Sequence, residues 1–146
     1  MHQSLKRAYA QEMARARNAY RTDELDLCFS HLERAHILGQ RFFWRHVISH
    51  WWMLKVGLRQ GGTSEIKGQL LRLFATVPGY LFGWVPKGNT GGANVSPVKP
   101  MPLPVDLAPL LEDYRVGRDV ARRLIYWALI LAAVAIWVTA SVAGGR

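Results

Sequence analysis

The sequence predicts an all-α protein. It is a small helical bundle, beginning with a helix hairpin like a tetratricopeptide (TPR) pair and ending in a C-terminal transmembrane helix. Three observations predict this. Apolar residues recur at spacings of three and four through the first half of the chain. No segment with a strand period has a pairing partner. The run Leu124 to Ala143 holds no charged side chain.

The elements follow in order. Leu5 to Tyr20 forms a helix, with Leu5, Ala8, Tyr9, Ala16, Ala19 and Tyr20 on one side. Arg21-Thr22-Asp23 is a short connection in which Thr22 or Asp23 is placed to cap the next helix. Glu24 to Leu38 is that helix, with the stripe Leu25, Cys28, Phe29, Leu32 and Ala35, and Gly39 is expected to stop it. A third helix runs from Phe42 to Leu58 and is closed by Gly61-Gly62. A fourth starts at Thr63 or Ser64, with Glu65 where the helix dipole favours an acid. Pro78-Gly79 is expected to disturb it. Leu70 to Val85 is strongly apolar but too short to span a bilayer, and it contains Arg72. It reads either as core or as a patch lying on a bilayer surface. Pro86 to Pro104 is a loop rich in Gly, Asn and Pro, held extended by Pro97, Pro100, Pro102 and Pro104. Asp106 to Asp119 can form a short helix leading into the anchor. The resulting division is a bundle domain over 1–85, a loop over 86–105, a juxtamembrane helix over 106–123 and a transmembrane anchor over 124–143.

At 1.5 Å per residue the uncharged run matches a hydrocarbon core of about 30 Å. Thr139 and Ser141 can bond back to the helix's own carbonyls. Arg115, Arg118, Arg122 and Arg123 precede the run and only Arg146 follows it, so the N-terminal side is expected in the cytoplasm. Tyr126 and Trp127 fall at the inner boundary, where amphipathic rings sit. The expectation is a tail-anchored, single-pass protein of a bacterial cytoplasmic (inner) membrane, inserted after translation. A net charge of +9 spread along the chain suits an anionic inner leaflet. No Lys/Arg block or nucleic-acid motif is present, so nucleic acid is not expected as a partner. The expected partners are the lipid bilayer, and a second copy or a membrane protein. Cys28 is the single cysteine, so no internal disulfide can form, which fits a reducing compartment. It falls on an apolar stripe and reads as core. The N-terminal segment lacks an apolar signal region.

Four of the five histidines crowd into one window: His31, His36, His46 and His50. Glu33 and His36 are separated by three positions, and His46 and His50 by four. Each pair therefore shares a helix face, at spacings that metal sites in bundles use. The connection Gly39 to Arg41 is tight, so its flanking helices are antiparallel neighbours. His36 and His46 are symmetric about position 41, and Glu33 and His50 nearly so. Glu12 continues the inward line of Leu5, Ala8, Ala16 and Ala19. Two carboxylates and three imidazoles thus point inward, and burying them unpaired would cost several kcal/mol each. They must bond to one another, to water or to a metal.

Glu12, Glu33, His36, His46 and His50 are therefore the metal-ligand candidates, in a set suited to zinc, iron, manganese or copper. Without a second Glu-x-x-His pair, a mononuclear site or one completed by a second chain fits better than a di-iron site. Haem on His36 or His46, with Trp44, Trp51 and Trp52 as walls, is a further option. The alternative is a His/Glu hydrogen-bond network that only ties the helices together. His31 lies ~140° around the helix from His36 and is expected on the surface. The loop Lys87 to Asn94 could cradle an anion on backbone N–H groups or be a plain turn-rich loop. It is not a Walker motif, because no Gly-Lys-Ser/Thr follows.

The segments His31-Leu-Glu-Arg-Ala-His-Ile-Leu-Gly-Gln40, His50-Trp-Trp-Met53 and Gly88-Asn-Thr-Gly-Gly-Ala-Asn-Val-Ser96 resemble an uncharacterised bacterial family. That family is labelled domain of unknown function 3703. The resemblance runs over roughly Leu5 to Leu110. It implies a small helical bacterial protein and supplies no activity. Two function classes remain. One is a membrane-tethered metal- or haem-binding protein. The other is a non-catalytic adaptor that presents Trp51, Trp52 and the loop to a partner.

Overall fold

Four helices follow one another through short turns in the computed structural model, which describes residues 2–144. They are α1 (Gln3–Arg21), α2 (Leu25–Gly39), α3 (Phe43–Gln60) and α4 (Thr63–Phe82). A long loop and a 3-10 turn (Ala108–Leu111) lead to α5 (Val116–Gly144), and no strand occurs among the described residues. Arg146, which entered the orientation expectation, lies outside the described residues.

The inward stripe of α1 is Leu5, Tyr9, Met13, Ala16 and Ala19, and it meets Cys28, Leu32 and Ala35 of α2. Consecutive helices pack as neighbours, α1 on α2, α2 on α3 and α3 on α4. Met53 and Val56 extend the core from α3, and Leu107, Leu111 and Tyr114 return to it from beyond the loop.

The turns obey tighter constraints than residue preferences suggest. Neither Thr22 nor Asp23 caps α2, whose N-cap is Glu24 with no side-chain cap bond. The Thr22 hydroxyl instead donates to the Ala19 carbonyl (3.2 Å), finishing α1. Asp23 is forced to φ 65° by the short reversal, and its carboxylate pairs with Arg59 at 2.9 Å. Gly39 does not stop α2 but is its last helical residue. Its role is steric, because a Cβ there would lie 2.8 Å from a ring carbon of Tyr9 and 3.0 Å from Cβ of Arg45. Gly61 ends α3 as expected, in the left-handed region at φ 69°, with Gly62 N–H bonding the Gly57 carbonyl at 3.0 Å.

Helix α4 departs most from expectation. It continues through Pro78 to Phe82. A helical proline forfeits one backbone hydrogen bond and strains the preceding turn, while Thr76 and Gly79 stay buried on either side of it. The buried face of α4 is polar or small: Gln69, Arg72, Thr76 and Gly79. Its outer face carries Leu70, Leu71, Phe74, Val77 and Leu81, with Phe74 86% exposed. The apolar run Leu70 to Val85 is therefore not core, apart from Val85 itself. The helix is amphipathic with its polar side inward.

The loop is not simply extended. Asn89 is 2% exposed, and its amide donates to the carbonyls of Ser96 (2.8 Å) and Lys99 (2.9 Å), which folds the segment back over α2 and α4. The segment 106–119 is not one helix but the 3-10 turn, a break, and the first turn of α5. Arg41 secures that start, with Nε and Nη2 donating to the two Asp119 oxygens (3.0 and 3.2 Å) and Nη1 to Asp113 (3.1 Å). Arg123 lies 3.8 Å over the Tyr80 ring and donates to the Tyr80 carbonyl. Beyond Arg123 the helix leaves the bundle. It is long and apolar enough to cross a membrane, and none of its most apolar stretch is buried.

Gly39→Ala is expected to destabilise the bundle by about 1–3 kcal/mol through overpacking against Tyr9, although alanine is the better helix former. Thermal unfolding followed by circular dichroism should show a midpoint several degrees lower. An unchanged or raised midpoint would mean the contact is not as tight as described.

Candidate metal centre

The tight turn between α2 and α3 sets His36 of α2 against His46 and His50 of α3. One ring nitrogen from each lies within 4.8 Å of the others, and all three side chains are buried. His50 Nε2 is 3.2 Å from His36 Nε2 and 2.9 Å from His46 Nε2.

The protons on these rings follow from their outer partners. His36 Nδ1 is 2.8 Å from the Asn89 carbonyl, which can only accept, so Nδ1 carries the proton. His50 Nδ1 is 2.7 Å from Gln69 Oε1. The Gln69 amide cannot be reversed, since its Nε2 donates to the Gly91 carbonyl (2.8 Å) and to Glu65 Oε1 (2.6 Å). His50 Nδ1 therefore also carries the proton. Neutral His36 and His50 must then point bare Nε2 lone pairs at each other. A proton shared between them would charge a buried ring, and the neutral donor within reach is His46, whose Nε2–H can serve His50 at 2.9 Å. Burial, with the Arg72 charge adding to it, holds the His36 pKa down at about 4, and burial with the His36 charge pushes His50 well below the ordinary value. His46 is also held low, by burial and by its two neighbours, and its Nδ1 is buried without a hydrogen-bond partner.

Lone pairs that converge in this way can ligate a cation. Three nitrogens bound tetrahedrally to zinc at its usual bond length would lie about 3.3 Å apart, close to the two spacings that His50 makes. Second partners that fix the ring tautomers are the outer arrangement metal-ligating histidines commonly have. The loop closes the site from above. Gly91 has φ +85°, and any Cβ there would sit 2.8–2.9 Å from the His36 ring. A side chain at this position would push the ring aside. Beside the triad is a cavity of about 50 Å³, bordered by Arg72, Thr76 and Trp84. It is too small for a porphyrin, and each imidazole occupies the space where haem would have to approach another, so haem does not fit.

The two carboxylate candidates stand elsewhere. Glu12 is buried but accepts from His31 Nδ1 (2.7 Å) and Arg34 Nε (2.8 Å) in a separate network. His31 is accordingly half-buried rather than on the surface. Glu33 faces the loop: a Cβ on Gly92 would lie 3.4 Å from its Oε1. Burial raises its pKa, the Thr90 hydroxyl offsets part of this, and the Glu65 charge adds to it. Trp44 and Trp51 point outward at 72% and 54% exposure, so neither walls the site.

Three contributors escaped sequence reasoning: Gln69, Asn89 and Arg72. The only signal for Gln69 and Arg72 was their spacing of three at the start of the strongly apolar stretch of α4. The loop turns carbonyls toward His36 and Gln69, while Ala93 N–H holds the chain's own Glu65 carboxylate at 3.0 Å.

The chain belongs to a family described as proteins of unknown function (DUF3703), whose family model matches residues 3–111. That span contains the whole histidine centre and stops before α5. No curated protein and no solved structure matches the chain.

Burial of a neutral His36 couples stability to pH. Its pKa falls from 6.5 in the unfolded chain to about 4 in the fold. Between these values the unfolded chain binds the extra proton, so stability is full above pH 6.5 and is lost as pH falls through about 4. With chelator present, the urea midpoint should drop from pH 7.5 to pH 4.5, and His36→Gln should lessen that dependence, with His46 and His50 keeping the rest. A wild-type midpoint independent of pH over this window would contradict a neutral, buried His36.

Proposed function

We propose that this chain is a membrane-tethered protein that binds one transition-metal ion through His36, His46 and His50. The observation that carries the reading is the pair of Nε2 lone pairs set 3.2 Å apart by Nδ1 donations to Asn89 and Gln69. An all-imidazole set suits zinc first, with copper and nickel as competitors. Three protein ligands beside a cavity form the open arrangement of reactive zinc sites rather than the closed arrangement of structural ones. Glu12 and Glu33 stay outside the ligand set, and Glu65 acts through Gln69 as an outer partner.

The tether is Leu124 to Ala143 of α5, crossing a bacterial cytoplasmic membrane. Arg115, Arg118, Arg122 and Arg123 keep the bundle on the cytoplasmic side. The outward apolar face of α4 supports this placement. Val77, Tyr80 and Leu81 border one open groove with Phe43, Trp44 and Trp127, so the bundle's apolar surface runs on into the start of the anchor. That same surface favours the second reading, an adaptor docking a membrane partner, in which the histidines are only a structural network.

Metal titration of the full chain in mild detergent separates these readings. One equivalent of zinc or cobalt(II) should bind, and each of His36→Ala, His46→Ala and His50→Ala should weaken binding by about 100-fold or more. Gln69→Leu should cost about 10–100-fold as an outer partner. Glu12→Gln and Glu33→Gln should keep the stoichiometry. Sub-stoichiometric binding indifferent to the histidine substitutions would leave the adaptor reading.

The span is tested separately. Val134→Arg combined with Ile136→Arg should move the protein out of the alkaline-carbonate-resistant membrane pellet. Wild-type protein that is itself extracted by carbonate would refute the anchor.

A further inference from the structure

Arg72 lies on the buried face of α4, is 7% exposed, and borders the same cavity as His36, His46 and His50. Its guanidinium donates to two backbone carbonyls, Val95 (2.6 Å) and Gly68 (3.4 Å). Among the described residues it forms no ion pair. An acid acting on it is Glu65, whose oxygens are already engaged by Gln69 (2.6 Å) and Ala93 N–H (3.0 Å). A buried charge balanced only by a carboxylate that is itself engaged elsewhere is costly, so the position favours an anion.

The charge count at the histidines points the same way. Three neutral imidazoles leave a divalent ion's charge uncompensated, and Arg72 adds another positive charge beside it. The cavity has about 50 Å³ of room. A water needs about 10–15 Å³ on that measure, so the space takes about four heavy atoms. Thr76 also borders this space. A guanidinium fork and a metal ion form a natural pair of grips for a planar, charged group with two oxygens.

We infer that the open coordination position of the tri-histidine centre takes a small planar oxyanion, a carboxylate or bicarbonate, held between the metal ion and the Arg72 guanidinium. This rests on the metal reading above and assigns the class of ligand the site takes. Arg72 is a ligand-binding residue in it and not a metal ligand.

The test uses the full chain in mild detergent loaded with cobalt(II), whose visible absorption reports coordination. Acetate is the probe, acetamide its uncharged counterpart of the same shape, and phosphate a larger oxyanion. Acetate should shift the cobalt spectrum saturably, acetamide should not, and phosphate should need a higher concentration. Arg72→Gln should raise the acetate half-saturation tenfold or more, and Arg72→Lys by less. Circular dichroism checks that each variant folds, and if Arg72→Gln does not, Arg72→Lys and the acetate–acetamide contrast in wild type carry the decision. Cobalt binding with no acetate response, an acetamide response equal to acetate's, or equal half-saturation in the Arg72 variants would overturn this inference and leave the metal site standing. Failure to bind cobalt at all would overturn both.

Discussion

The bundle is organised around the meeting of two histidine lone pairs, of which a neutral His46 can serve the one on His50. His36 and His50 each commit their Nδ1 proton outward, to a loop carbonyl and to a glutamine amide. Their inner nitrogens are left 3.2 Å apart. In water such rings would protonate or turn away. Here α2, α3, α4 and the returning loop prevent both, because rotation would break a buried hydrogen bond and protonation would place charge beside Arg72. The desolvation that makes unpartnered lone pairs costly is also what would make them bind a cation strongly.

Polar groups radiate from this point. Gln69 links His50 to Glu65 and to the Gly91 carbonyl, and Glu65 takes the Ala93 amide. Asn89 holds the loop in the shape that brings its own carbonyl to His36. Helix α4 must therefore turn its few polar residues inward, which leaves its leucines and Phe74 outside. An outward apolar face is unfavourable in water and favourable against lipid, and this one lies on the side from which α5 departs. One demand, satisfying the histidines, thus accounts both for the lining of the site and for the surface that fits a membrane.

Much of this was legible along the chain. The four bundle helices, the Gly61 cap, the core position of Cys28 and the apolar final helix all follow from local periodicity and composition. So does the meeting of His36 with His46 and His50, because a tight turn makes antiparallel neighbours of residues equidistant from it. What misled was inward geometry without knowledge of partners. Glu12 is buried as its helical line implies, yet it serves His31 and Arg34. Glu33 shares a helical face with His36, yet its carboxylate turns to the loop.

The sequence by itself determined the helices, their antiparallel order and the three histidines brought to one side, since these depend on spacings within a few turns and on one short connection. Only the tertiary structure decided which atoms the histidines present, which side of α4 is inside, and that Arg72 stands beside them without an ion pair. Those facts depend on contacts between segments about twenty to fifty positions apart, Gln69 with His50 and Asn89 with His36. A proton's position on an imidazole is set by the group across from it, and no periodicity along the chain encodes that group.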